Sequence, residues 1–164
     1  MQKVSSKFIT TEIIKQLRAK TNAGVMDAKR ALEESHGDMK KAEEWIKQKG
    51  MQHAEKKAGN EAKQGIIASY VHQGSQVVAM VELNCETDFV ARNEKFIALG
   101  KEIAMQVAAM KPTTVEELLD QPYIRDLKTS IKNLVKETAG ILGENIVVAR
   151  FTRMAVGESA VPTQ

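Results

Sequence analysis

The side chains most often used as nucleophiles, proton carriers and metal ligands are few and scattered in this chain. Its three histidines, His36, His53 and His72, do not combine with its single cysteine, Cys85, at any spacing typical of a metal site. No phosphate-binding glycine loop, HExxH helix or GxSxG elbow is present in the sequence. We therefore expect a protein that is not an enzyme and that acts by binding, without a cofactor or a metal ion. Cys85 is expected to be a small buried residue at the end of a strand.

The most distinctive stretch is 82–93, ELNCETDFVARN, which runs from the end of a predicted strand into the start of a predicted helix. At its centre, Thr87, Asp88, Phe89 and Val90 combine a large aromatic ring with a polar turn. An aromatic residue at such a junction is usually buried, so burial tendencies alone predict that Phe89 packs into the core. The alternative is that the aromatic ring is exposed and directed at a partner.

The composition narrows the class of protein. With 43% hydrophobic and 27% charged residues, the chain is typical of a folded domain. The net charge of +3 is mild, and an aromatic content of 4% leaves few stacking surfaces for nucleic acid. No run reaches the ~18 consecutive apolar residues of a membrane span, and the N-terminus lacks the apolar segment of a signal peptide. We therefore expect a cytoplasmic protein that contacts neither membrane nor nucleic acid directly.

The N-terminal third of the chain predicts a bundle of three short amphipathic helices within residues 1–50. Residues 1–8 are expected to be a loose leader, and Trp45 is expected to fill the centre of the bundle. The third helix is predicted to end at Gly50. Residues 51–64 are polar and rich in lysine, which favours a solvated helical linker, with a docking strip as the alternative.

Residues 65–156 predict a core of α+β class. Two runs with alternating apolar residues and a turn at Gly74 indicate a β-hairpin, and several helices precede a last strand. A three-stranded antiparallel sheet covered on one face by helices satisfies this order, with an edge or the second face left exposed. Residues 157–164 are expected to be a flexible tail. The predicted elements are strands at 65–72, 76–83 and 144–154, and helices at 96–111, 114–122 and 124–140.

Four segments resemble one known family. Residues 82–92 closely resemble the central signature of elongation factor Ts, the nucleotide exchange factor of elongation factor Tu. Residues 17–32, LRAKTNAGVMDAKRAL, resemble the N-terminal signature of that family. Residues 56–60 and 143–146 are similar to two further family segments. The four matches occur in family order and extend over nearly the whole chain.

The resemblance implies an architecture. It implies an N-terminal three-helix bundle similar to ubiquitin-associated (UBA) domains, followed by the α+β core. Longer members of the family carry two copies of the core module and a coiled-coil insertion, whereas this chain has room for a single core module. Short members pair as homodimers, so the resemblance implies a homodimer that presents two cores.

The resemblance also implies a function and its residues. Family members bind the GDP form of elongation factor Tu and promote GDP release by displacing Mg²⁺ and loosening the phosphate site. The segment associated with this displacement is Thr87, Asp88, Phe89 and Val90: the ring of Phe89 inserts near the ion, and Asp88 holds the loop. Further positions match family contacts with elongation factor Tu, and these are Lys29, Lys57, Leu142 and Gly143.

Two other functions are compatible with the residues. The helical bundle alone could bind another protein, with the core serving as a structural partner. A ribosome- or RNA-associated protein could instead use the lysines near the linker, although the sparse aromatic residues disfavour it. Those lysines are Lys40, Lys41, Lys47, Lys49, Lys56 and Lys57.

Overall fold

Three helices form the N-terminal bundle, which we define as α1, α2 and the part of α3 up to Gly50. The structure is a computed structural model that describes residues 9–158. Helix α1 spans Thr11–Thr21, α2 spans Val25–Glu34 and α3 spans Met39–Lys57. The fully buried Leu17 and Leu32 lie at the centre of the bundle. Trp45 packs against this cluster but is only partly buried, so the prediction that Trp45 fills the centre is wrong.

Helix α3 belongs to both halves of the molecule. It continues through Gly50 to Lys57, so the prediction that it ends at Gly50 is wrong. Glycine lowers the helical stability by about 1 kcal/mol relative to alanine. Tertiary packing overrides that preference: Ala42 of α3 is buried in the bundle, whereas Ala54, three turns later, is buried in the core.

A three-stranded antiparallel sheet forms the centre of the core, as predicted. Strands β1 (Gln64–Val71), β2 (Val77–Cys85) and β5 (Ile146–Ala155) lie in the order β1-β2-β5. Gly74 has a φ of +84° in the turn between the first two strands, a conformation that favours glycine. The fold is therefore of α+β class.

Helices cover one face of this sheet. They are α4 (Asp88–Ala91), α5 (Glu94–Met110), α6 (Val115–Asp120) and α7 (Ile131–Leu142). The long α5 packs directly on the sheet because apolar residues recur on one side of it. These buried residues are Phe96, Leu99, Ile103, Ala104 and Val107. Gly100 lies so close to β1 that a Cβ added there would be 2.8 Å from the Cβ of Ala68.

A small hairpin replaces the first part of one predicted helix. Strands β3 (Pro122–Tyr123) and β4 (Asp126–Ser130) pair with each other, and α7 begins only at Ile131. The prediction of a helix over 124–140 is therefore wrong at its start. Leu127, which suggested the helical spacing, is 74% exposed, and the hydroxyl of Ser130 caps α7 by accepting the amide of Asn133 at 3.2 Å.

The second face of the sheet carries no helix within residues 9–158. We call it the outer face, and it is formed by the alternate residues of the three strands that point away from α5. Its exposed apolar residues are Ile67, Val71, Met80, Val147 and Met154. Glu82 and Arg150 form an ion pair of 2.6 Å on the same face. The prediction of an exposed second face is confirmed.

Both ends of the chain extend beyond the described residues. The predicted leader, residues 1–8, and most of the predicted tail lie outside the described residues. The last described residue, Glu158, accepts hydrogen bonds from Lys111 and Arg153, which tie it to the core. None of the helices between residues 9 and 158 is long and apolar enough to cross a membrane.

Candidate partner-binding site

The four residues 87–90 form a tight turn between β2 and α5. Thr87 has extended backbone angles, and its hydroxyl accepts the amide of Val90 at 3.4 Å, which starts the single turn of α4. Val90 is half-buried and packs on the core. The side chain of Phe89, in contrast, is 80% exposed. The general expectation of a buried aromatic ring is therefore wrong here, and the ring is exposed, as the alternative requires.

Glu144 anchors this turn. One oxygen of its carboxylate, Oε2, accepts the backbone amides of Glu86 at 3.1 Å and Thr87 at 3.0 Å. The other, Oε1, accepts the hydroxyl of Thr87 at 2.6 Å. Three hydrogen bonds to one charged acceptor fix both the backbone and a side chain of the turn, and such bonds are stronger than those between neutral groups.

A second carboxylate ties the same strand end to two other segments. Glu86 accepts the amide of Asn145 at 2.6 Å and the side-chain amide of Asn60 at 3.0 Å. The backbone amide of Asn145 is the main reason that the pKa of Glu86 lies below its usual range. Asn145 is buried, and its side chain donates to the carbonyl oxygens of Asn60 at 2.8 Å and Ala58 at 3.3 Å. The end of α3, the start of β5 and the end of β2 are thus joined beside the turn.

Three of the four predicted partner contacts lie near this junction. Gly143 ends α7 with a φ of +74°, and the ammonium group of Lys57 donates to its carbonyl oxygen. Leu142 is half-buried and packs on the core. Gly143 directly precedes the anchoring Glu144, so Lys57, Leu142 and Gly143 are structurally connected to the 87–90 turn.

The fourth predicted contact, Lys29, lies on α2 of the bundle. It is exposed, and its ammonium group lies 3.9 Å from Glu33. At the start of the same helix, Val25 is 50% exposed and Met26 is 70% exposed. The bundle therefore presents an apolar pair and a cation on α2, separate from the exposed ring of Phe89.

Asp88 has a more local contact than expected. Its carboxylate accepts a hydrogen bond from the guanidinium of Arg92 at 2.7 Å, one helical turn further along the chain. The long-range anchor of the loop is Glu144, a role that sequence reasoning missed. A signal was available, because Glu144 lies within 143–146, one of the segments that resemble the family, and it directly follows the glycine that ends α7.

Cys85 is buried, as predicted. Burial, followed by the nearby carboxylate of Glu144, raises the pKa of its thiol to about 11. The thiol donates a hydrogen bond to the carbonyl oxygen of Thr87 at 3.1 Å, so this buried side chain also contacts the backbone of the turn. Across residues 9–158, no group of three or more histidine, cysteine, aspartate or glutamate side chains is placed to hold a metal ion.

The lysines considered for RNA binding are partly engaged within the chain. Lys47 pairs with Glu137 at 2.6 Å, Lys49 pairs with Asp27, and Lys57 binds a backbone carbonyl. A lysine whose charge is already paired contributes less to phosphate binding, because binding would first have to break the internal contact.

The candidate site thus consists of an exposed aromatic ring on an internally anchored turn, joined to a helical bundle with its own exposed apolar pair. Comparison with known proteins agrees with the resemblance in the sequence. The family model described as Elongation factor TS matches residues 86–163. The chain belongs to the elongation factor Ts family.

Curated relatives support this assignment over most of the chain. Elongation factor Ts of Synechococcus elongatus is 42% identical over 196 aligned positions, which cover 92% of this chain and 89% of the relative. Elongation factor Ts of Nitratidesulfovibrio vulgaris is 38% identical over 194 positions, with coverages of 91% and 97%. Because both alignments are longer than the 164 residues of this chain, they include positions that the relatives fill and this chain does not.

Proposed function

We propose that this protein is a guanine nucleotide exchange factor that supports translation elongation in the cytoplasm. It binds the GDP complex of elongation factor Tu and accelerates GDP release by displacing Mg²⁺ and loosening the phosphate site. The protein itself makes and breaks no covalent bond. The observation that carries the proposal is the exposed ring of Phe89 on a turn held by Glu144.

The anchoring of the turn explains why it suits this task. A ring that must separate tightly packed side chains of a partner is effective only if its own backbone does not yield. The three hydrogen bonds that Glu144 accepts hold the turn before binding, so little conformational entropy is lost when the ring inserts. Asp88, beside Phe89, supplies polar contacts at the partner's surface, while Thr87 and Val90 shape the turn.

The size of the required barrier reduction indicates that burial of the Phe89 ring is not sufficient by itself. Accelerating release by about 10⁴-fold requires the barrier to fall by about 5.5 kcal/mol. Burying one phenylalanine side chain contributes roughly 1.5–3 kcal/mol. The remainder must come from other contacts with elongation factor Tu. We assign these to Lys29 on the UBA-like bundle and to Lys57, Leu142 and Gly143 near the turn.

Reciprocity between the two ligands allows the factor to leave. If the protein weakens the binding of GDP to elongation factor Tu, a guanine nucleotide must weaken the binding of the protein by the same factor. An incoming nucleotide therefore releases the exchange factor, and one molecule can serve many partners.

The direct test follows the release of a fluorescent GDP from purified elongation factor Tu, with and without this protein, over a range of Mg²⁺ concentrations. We expect acceleration that weakens when Mg²⁺ is removed, because the displaced ion is then already absent. Phe89→Ala should reduce the rate about 10- to 150-fold, the equivalent of burying one ring, while retaining much of the binding. Undiminished release with Phe89→Ala would contradict the assignment of the ring.

We also propose that the protein is a homodimer in which the outer faces of two sheets pack against each other. The supporting observation is the group of apolar residues on that face, of which Ile67 is 62% exposed and Met154 is 67% exposed. Two sheets packed face to face bury such residues between them. The pairing would present two copies of the 87–90 turn, and each core of residues 65–156 would stay joined to its bundle of residues 1–50 by the segment 51–64.

Sedimentation equilibrium tests the homodimer. Met80 lies on the central strand of the outer face, and Met80→Glu should shift the protein to a monomer because it buries an unpaired charge in the interface. Met110→Glu is a matched control, since Met110 is similarly exposed but lies at the end of α5. A wild-type monomer at all concentrations would contradict the homodimer without affecting the exchange assignment.

A further inference from the structure

Two glycines meet where α3 crosses α7. A Cβ atom added to Gly140 would lie 2.5 Å from the carbonyl carbon of Gly50 and 2.6 Å from its oxygen. These distances are far shorter than any tolerated contact, and the obstructing atoms are backbone, which cannot rotate away. A Cβ atom added to Gly50 would lie 3.4 Å from the Cα of Gly140, an ordinary contact distance. The crossing therefore requires glycine at position 140 more strictly than at position 50.

The crossing lies between the bundle and the core. Before Gly50, α3 packs in the bundle, and after it Ala54 is buried in the core. Ion pairs join the two helices on both sides of the glycines. Lys47 of α3 pairs with Glu137 of α7 at 2.6 Å, and Glu55 of α3 pairs with Lys136 of α7 at 2.8 Å.

The same helix α7 leads directly to the anchor of the 87–90 turn. Its last residues are followed by Gly143, which binds Lys57 of α3, and by Glu144, which holds Thr87. The bundle and the turn that carries Phe89 are thus both connected to one short segment, from Gly140 near the end of α7 to Glu144 just after it.

We propose that the contact between Gly50 and Gly140 sets the placement of the bundle relative to the 87–90 turn, and that nucleotide exchange depends on this placement. The inference rests on the proposed function, in which elongation factor Tu is held by α2 and by Phe89 at the same time. Gly140 is the positioning residue: it touches no partner, and because it lacks a Cβ it lets the backbone of α3 at Gly50 approach closely, which fixes the distance between two surfaces that do touch the partner.

The test combines a distance with a rate. Lys15 on α1 and Lys101 on α5 are exposed, so Lys15→Cys and Lys101→Cys provide attachment sites for a pair of spin labels. Cys85 is buried and the pKa of its thiol is raised to about 11, so labelling at neutral pH is selective for the introduced thiols. Pulsed electron spin resonance then reports the separation of bundle and core in the free protein. Stopped-flow GDP release reports the rate at saturating concentrations of each variant.

Gly140→Ala should shift the label separation and reduce the saturating rate of GDP release at least tenfold, with the helical content retained. Gly50→Ala is the matched control and should leave the separation and the rate unchanged. An unchanged separation in folded Gly140→Ala would overturn the inference. So would a shifted separation with an unchanged rate, or an equal loss in Gly50→Ala.

If Gly140→Ala does not fold, a second pair of variants tests whether the crossing of α3 and α7 sets the placement of the bundle. Lys47→Glu places two acids together across the crossing and should shift the separation and lower the rate. Combining it with Glu137→Lys reverses the pair and should restore both. Failure of the double variant to restore them would overturn the inference. If the wild-type protein does not accelerate GDP release at all, the proposed exchange function fails, whereas the label separations still show whether the glycines place the bundle.

Discussion

Phe89 and Phe96 are close in the chain, yet their environments are opposite. Phe96, in the first turn of α5, is completely buried, whereas Phe89, in the single turn of α4, is 80% exposed. Phe96 belongs to a stripe of apolar residues at helical spacing that faces the sheet. Phe89 lies on a turn that is held by polar contacts and whose neighbour Val90 faces inward instead. Two rings of equal hydrophobicity thus differ in exposure according to their position: one faces the sheet from α5, and the other lies on a turn that is anchored by Glu144.

The largest effect on stability should come from the buried ring. Phe96→Ala removes a completely buried side chain from the centre of the core and leaves a cavity. We expect the free energy of unfolding to fall by about 3–5 kcal/mol. Urea unfolding monitored by circular dichroism measures this loss. A decrease below about 1 kcal/mol would mean that Phe96 is not the packing element that its burial indicates.

The second largest effect on stability should come from Glu144, which anchors the turn that carries Phe89. Glu144→Ala deprives two backbone amides and the hydroxyl of Thr87 of their charged acceptor. Because Glu144 is only half-buried, water replaces part of these bonds, and we expect a total loss of about 1.5–3 kcal/mol. Hydrogen exchange should show faster exchange of the Thr87 amide. GDP release should slow even though Phe89 is still present. Glu144→Gln, which retains one acceptor oxygen, should have a smaller effect; equal effects would argue against the hydrogen bonds as the cause.

Acid should loosen the same junction. The pKa of Glu86 is lowered in the folded protein, chiefly by the amide of Asn145. A lowered pKa contributes stability that is present above the unfolded value of about 4.3 and is lost as the pH falls through the folded value. The protection of the Asn145 amide, measured relative to its intrinsic exchange rate, should therefore decrease as the pH falls below that unfolded value. Glu86→Gln should remove this pH dependence, and a dependence that persists in that variant would assign it to another carboxylate.

The exposed ring should have the smallest effect on stability. Phe89→Ala removes few contacts within its own chain, and we expect the free energy of unfolding to change by less than about 0.5 kcal/mol. The same urea experiment that tests Phe96→Ala measures this difference. A loss as large as that of Phe96→Ala would show that Phe89 stabilises the fold, and the contrast between the two rings would disappear.

Periodicity in the sequence predicts the parts of the fold that depend on local pattern. Alternating apolar residues predict strands β1 and β2, and the spacing from Phe96 to Val107 predicts α5. The antiparallel sheet and the turn at Gly74 follow from the same signals. These elements are predictable because each residue's environment repeats along its own element.

The predictions fail where a distant segment decides the outcome. Gly50 lies inside α3 because α7 packs against it, and no local pattern contains that contact. Residues Asp126–Ser130 form a strand because they pair with the short β3, although Leu127 fits a helical spacing. Glu144 anchors Thr87 across a long stretch of chain, so motif reasoning identified the turn but assigned its anchoring to the neighbouring Asp88.

The shared helix α3 has a consequence for how the molecule melts. A small helical bundle on its own has little apolar surface to bury and is marginally stable. Here α3 contributes buried residues to both hydrophobic clusters, Ala42 to the bundle and Ala54 to the core. Unfolding of either cluster therefore removes packing from the helix on which the other cluster depends. We therefore expect one heat-absorption peak in calorimetry, with equal calorimetric and van't Hoff enthalpies, where two independent domains would give two.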